Sequence, residues 1–213
     1  MSKKNYKYSK KEEKLNVLSH AFGLLLSVIA FPFLILKSLD FNGFWKPASF
    51  IIYGGSLIIL YAASTLYHSA KKPKQRRRLN IFDHAAIYIL IAGTYTPFTM
   101  VTLEGKTGWI IFILTWIFAL IGVILKLFFT GKFDKISTIM YVLMGWQIVF
   151  AINPLIEKLA TEGLQWLFLG GVFYTIGAIL YSIKKIPFNH AIFHVFVLFG
   201  SLSHFISVFY FVS

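Results

Sequence analysis

Three histidines fall near the ends of long apolar stretches: His68 closes one, and His190 and His194 open the last in the run His-Ala-Ile-Phe-His. Residues four apart on a helix point about 40° from one another and lie about 6 Å apart along the axis. The imidazoles of that run can therefore grip one metal ion. Cysteine is absent, so any metal relies on imidazole, carboxylate, amide or hydroxyl, and no disulfide forms. Two aromatic-like residues in an interfacial belt and a solvated histidine at the end of a helix are the structural alternatives for these positions. Their joint occurrence favours a site instead: His68, His190 and His194 supply three nitrogens to a zinc ion, Zn2+. Ionisable groups in or near hydrocarbon are costly enough to default to a functional reading.

Other polar residues gather at the same depth. Ser64 precedes His68 by four residues, so it can reach a metal-bound water. Asp83 has two readings that can coexist: an N-cap for the helix it opens, or a carboxylate that holds the metal's water and takes its proton. Glu13, Asn16 and His20 form one stripe at spacings of three and four and are read as supporting or substrate-facing groups rather than ligands. His204 lies ten residues beyond His194, about 15 Å further along and turned by roughly 80°, so it cannot share the ion. His84 projects about 100° away from Asp83, towards another neighbour. Gly93-Thr94-Tyr95-Thr96-Pro97 predicts a kink, since proline removes a backbone donor; the kink either opens a cavity or serves packing.

Membrane helices must position these groups. Hydrophobic residues make up 57% of the 213 residues and charged ones 14%, against about 25% charged in soluble domains. Apolar runs of roughly 20 residues, each long enough to span a bilayer, recur at 16–37, 47–68, 82–102, 108–129, 136–156, 164–183 and 189–212. The class is all-α, a seven-transmembrane helix bundle, with a basic tail at 1–15 and the helical domain at 16–213. The weakest span is 136–156, which Gln147 and Asn153-Pro154 interrupt; without it six spans remain and the termini share a side. The segment from Asn16 is too long for a signal-peptide core and lacks a cleavage pattern, so it counts as structure.

Positive charge sets the orientation. Lys and Arg cluster in the tail (Lys3, Lys4, Lys7, Lys10, Lys11, Lys14), in a loop at 69–81 (Lys71, Lys72, Lys74, Arg76, Arg77, Arg78), in a loop at 130–135 (Lys132, Lys135) and at Lys184-Lys185. Lys46, Lys106 and Lys158 occupy the alternate loops, with Lys37 and Lys126 at helix edges. The positive-inside rule places the N-terminus in the cytoplasm, and an odd span count sends the C-terminus outside. The same bias explains the net charge of +13. It points to anionic lipid headgroups as partners and not to nucleic acid, which needs a basic face on a folded domain. Oligomeric state is not legible.

Ser-Thr-Leu-Tyr-His at 64–68, Ile81 to Phe98, Glu-x-x-Asn-x-x-x-His at 13–20 and His-Ala-Ile-Phe-His at 190–194 together resemble the bacterial haemolysin III family, itself similar to the progestin and adipoQ receptors and more remotely to alkaline ceramidases. The resemblance covers nearly the whole chain beyond residue 12. It implies a seven-helix bundle in the bacterial cytoplasmic membrane, with the N-terminus in the cytoplasm and zinc on His68, His190 and His194 close to Ser64 and Asp83. It also implies a lipid amide or ester hydrolase, while the family name records cytolysis and more recent readings favour membrane-fluidity or membrane-energetics homeostasis. Receptor signalling does not transfer, because the large extensions of eukaryotic relatives have no counterpart here. The functions in competition are a zinc hydrolase with Asp83 as base and Ser64 orienting water or oxyanion, a pore-forming cytolysin, and a non-catalytic sensor clamped by zinc. A pore should carry a polar stripe through the full bilayer, which these spans lack. A retinal photoreceptor is disfavoured, since no lysine follows His190 for a Schiff base.

Overall fold

Apolar runs of this length become helices because backbone N–H and C=O groups have no water partner in hydrocarbon. The computed structural model describes residues 8–130 and 134–213. The helices are α1 (Lys10–Ser38), α2 (Trp45–Ser69), α3 (Pro73–Pro97), α4 (Gly105–Phe129), α5 (Asp134–Gly145), α6 (Ile152–Lys158), α7 (Thr161–Ser182) and α8 (Asn189–Phe211). No strand occurs among the described residues. Among the described residues, seven segments are long and apolar enough to cross a membrane, so the six-span alternative falls. The fifth, Ile136–Lys158, is broken where its sequence said it would be. α5 ends at Gly145, a 3-10 turn covers Gln147–Ala151, and α6 completes the crossing. Tyr95 staples the break: its hydroxyl donates to the Gly145 carbonyl at 2.8 Å and accepts from the Ile148 N–H at 2.7 Å.

Two expected boundaries move, both at the basic end. α1 starts at Lys10, inside the segment read as a tail, because Ser9 caps it by accepting from the Glu12 N–H at 3.1 Å, with Glu12 and Glu13 in the first turn. Residues 1–7, and the loop around Lys132 and the Lys135 side chain, lie outside the described residues. The segment read as a loop at 69–81 is mostly helix, since Pro73 opens α3 at its first turn, where proline's fixed φ is favourable. Asp83 therefore sits well inside α3, and the N-cap reading for it is excluded.

Consecutive helices α1 to α4 pack as neighbours, α7 packs on α8, and α8 returns to α1. α1 is inside-out by soluble standards. Asn16, His20, Gly23 and Ser27 are buried, while Leu18, Phe22, Leu25 and Ile29 are exposed, as lipid-facing surface requires. Pro97 ends the α-helical part of α3, and Phe98–Thr102 continue as a π-helical turn closed by the Leu103 N–H on the Phe98 carbonyl at 2.7 Å. Such turns accommodate a lost donor. Glycine admits close approach here: a Cβ on Gly93 would lie 2.3 Å from Ser56 Oγ, and one on Gly108 would lie 2.1 Å from the Thr99 carbonyl oxygen.

Candidate metal centre

His68 lies in the last turn of α2, and His190 and His194 in the first turns of α8. The alternation of the spans brings these two ends together. His190 Nε2 stands 3.0 Å from His68 Nε2 and 3.1 Å from His194 Nε2, with all three residues buried. Ligand nitrogens on one tetrahedral zinc, each with a bond of about 2.0–2.1 Å, are separated by about 3.3 Å. Each residue offers a ring nitrogen within 4.8 Å of the others, so the trio could hold a metal ion.

The surroundings test that fit, because a ligating imidazole needs its proton on the other nitrogen. His68 Nδ1 donates to Glu13 Oε2 at 2.7 Å. His194 Nδ1 lies 3.3 Å from the Asn16 backbone carbonyl and 3.2 Å from Ser19 Oγ. A carbonyl only accepts, so Nδ1 of His194 carries hydrogen. Two of the three rings are thus held with the Nε2 lone pair facing the centre. Arg76 completes the backing by pairing with Glu13 Oε1, while its other nitrogen reaches the carbonyls of Tyr67, His68 and Ala70 at the end of α2, each 3.4 Å away. One carboxylate on α1 thereby ties α2 and α3 to the ligand it orients.

His190 and His194 line a cavity of about 140 Å³ whose wall also includes His20, Ser64 and Asp83. Glu13 and Asn16 stand behind the ligands instead, Asn16 with its amide nitrogen 3.4 Å from His68 Nδ1. His20 stacks face to face on His194, with centroids 3.5 Å apart and planes within 9°, and meets Tyr61 edge-on at 5.1 Å. Neither ring nitrogen of His20, nor Ser64 Oγ, has a hydrogen-bond partner among the described residues. Asp83 lines the wall without joining the three-histidine group.

His84 departs from the expectation that it turns to another neighbour: its Nδ1 donates to the Asn80 carbonyl at 2.8 Å, and its ring lines the same cavity. Back-bonding one turn along α3 keeps it at the wall. His204 shares the cavity but not the ion, and donates from Nε2 to the Leu167 carbonyl at 3.0 Å.

Three contributors escaped the sequence reading. Ser19 stands beside the Glu13-Asn16-His20 stripe, three residues past Asn16, which was a usable signal. Arg76 was read only as cytoplasmic charge. Tyr8 falls in the polar tail, yet its ring stacks on His190 at 4.7 Å and lies 5.9 Å from His68. Burial, reinforced by the neighbouring Tyr181, pushes the Tyr8 phenol well above its ordinary pKa, so it covers the site as a neutral ring.

A bundle of seven spans with three converging imidazoles at one end defines a polytopic membrane protein with a group able to hold a metal ion. The Haemolysin-III related family model matches residues 8–205, and the chain belongs to that family. It is 45% identical over 201 residues to the Hemolysin-3 homolog of Bacillus subtilis, covering 94% of each chain. Against Hemolysin-3 of Bacillus cereus the identity is also 45%, over 202 residues, 95% of this chain and 92% of the relative. The Monocyte to macrophage differentiation factor of Homo sapiens is 28% identical over 213 residues, 95% of this chain and 85% of the relative. The spans and the bacterial relatives make this a multi-pass protein of a bacterial cell membrane.

Proposed function

We propose that the chain is a zinc-dependent hydrolase of an amide or ester bond in a membrane lipid, with its basic end in the cytoplasm. The observation that supports this reading is one largely apolar cavity whose wall is shared by Asp83, by Ser64, whose Oγ has no partner among the described residues, and by His190 and His194, two of the three converging histidines. Three imidazoles without thiolate suit zinc, and the held tautomers leave lone pairs for it. A bound zinc would supply Lewis acidity that polarises a scissile carbonyl and makes water a better nucleophile at neutral pH.

The chain's own groups have the remaining tasks. Asp83 accepts a proton from the attacking water and returns it to the leaving amine or alcohol. Ser64 donates to the oxygen on which negative charge develops. Glu13, Asn16 and Ser19 keep the ligand rings in register. The apolar wall takes the acyl chain, and exposed Lys71, Lys72, Lys74, Arg77 and Arg78 at the same end attract anionic headgroups.

The test is metal content and turnover on a panel of lipid amides and esters. Purified protein retains about one zinc, and His190→Ala loses metal and turnover together. Loss of the metal with turnover intact refutes the mechanism. The haemolysin name of the Bacillus relatives favours a second reading, a pore-forming cytolysin. Single-channel recording with His194→Ala alongside separates the two, since conductance indifferent to zinc belongs to a pore. A zinc-dependent melting temperature with no turnover on any lipid would leave the sensor.

A further inference from the structure

The cavity does not end at the metal centre. Its wall continues to Thr94, Tyr95, Trp146, Gly171 and His204, and a smaller void of about 30 Å³ adjoins it there. His204 is ten residues beyond His194 on α8, so this end lies about 15 Å deeper along the axis. An imidazole in that position needs a reason, since buried polar groups are costly unless partnered.

Its hydrogen bonds are half accounted for. Nε2 stands 3.0 Å from the Leu167 carbonyl, and a carbonyl only accepts, so Nε2 carries the hydrogen. The neutral ring then presents Nδ1 as an acceptor. That atom is buried and has no partner among the described residues. The donors nearby are committed elsewhere: Trp146 Nε1 to Thr175 Oγ1 at 2.9 Å, the Tyr95 hydroxyl to the Gly145 carbonyl, and Thr94 Oγ1 to the Leu90 carbonyl at 2.8 Å. The ring is also closely accommodated, since a Cβ on Gly170 would lie 2.1 Å from His204 Cδ2. A plain hydrocarbon chain filling this end would leave the acceptor bare.

We propose that the deep end of the cavity is a hydroxyl-recognition site, in which His204 Nδ1 accepts from a hydroxyl in the middle of a bound acyl chain. The lipids it selects are those with a mid-chain hydroxylated acyl group. The inference rests on the reading that the cavity takes an acyl chain. A hydroxyl placed elsewhere along the apolar wall loses its water without gaining a partner, so position along the chain is the diagnostic variable.

The experiment uses the purified full chain loaded with zinc and measures displacement of labelled stearic acid by unlabelled stearic acid and by a series of hydroxystearic acids with the hydroxyl moved from carboxyl to methyl end. Expected is one optimum in the middle of the chain, about three- to tenfold tighter than stearic acid, with both ends of the series weaker than the optimum. His204→Phe keeps a ring of similar bulk but has no nitrogen to accept, so the ratio of optimum to stearic acid falls to about one. A flat series overturns this inference alone, and so does an optimum that survives in His204→Phe. Stearic acid failing to bind at all overturns the acyl-chain reading, and this inference with it. The series on the unaltered chain decides the matter even where the variant does not fold.

Discussion

Removing the Glu13 carboxylate is the sharpest probe of the site, because Glu13 touches no expected metal position and reaches it only through His68, while its other oxygen pairs with Arg76. Its Oε2 is 2.7 Å from His68 Nδ1, with the His68 side chain fully enclosed and the Glu13 side chain 13% exposed. That charge-assisted bond keeps the His68 proton on Nδ1. Without it the other tautomer becomes accessible, which puts a hydrogen on the nitrogen that must bind. Losing such an outer partner costs about 10–100-fold in metal affinity, or about 1.4–2.8 kcal/mol. Glu13→Gln retains a neutral acceptor and falls near the lower figure, whereas Glu13→Ala approaches the upper one. Glu12→Gln, one residue away in the same first turn, keeps wild-type affinity. The assay is competition against chelators of graded strength, with melting temperature recorded in parallel. A Glu13→Ala protein that is folded and binds zinc as tightly as wild type refutes the claim that this carboxylate sets the tautomer.

Tyr8→Ala uncovers His190 and His68, so a chelator captures the metal up to about tenfold faster, on the scale of one aromatic contact; Tyr8→Phe keeps the ring and most of the slow rate, and equal rates for all three proteins would show that the ring shields nothing. Asp83→Asn retains its zinc while turnover falls by about a hundredfold or more, which metal analysis beside lipid product quantitation checks. Gly108→Ala drives a methyl against the Thr99 backbone carbonyl at 2.1 Å and destabilises the bundle by about 1–3 kcal/mol. Gly55→Ala, whose Cβ would meet nothing within 4 Å, leaves the melting temperature unchanged or raises it slightly.

Much of the architecture was legible because hydrocarbon imposes a simple rule on sequence. A run long enough to cross the bilayer becomes a helix whatever its neighbours do, and even the broken fifth span showed itself in Gln147 and Asn153-Pro154. The helix ends at the basic face were harder, since charge marks where the membrane stops and not where the helix stops. α3 therefore begins at Pro73, with the Arg76–Arg78 run inside it, and Asp83 lies in mid-helix instead of at a cap.

By itself the sequence determined seven crossings, the four-residue spacing that aligns His190 with His194, and the stripe of Glu13, Asn16 and His20, since each is a property of one helix and its periodicity. Only the tertiary structure decided that His68 meets that pair, that Glu13 and Arg76 fasten it there, that Tyr8 stacks on His190, and that His84 and His204 share the cavity wall. Those relations depend on how helices rotate and approach one another. That is settled by packing between residues far apart in the chain, such as Gly170 against His204 and Gly93 against Ser56, and no local pattern carries it.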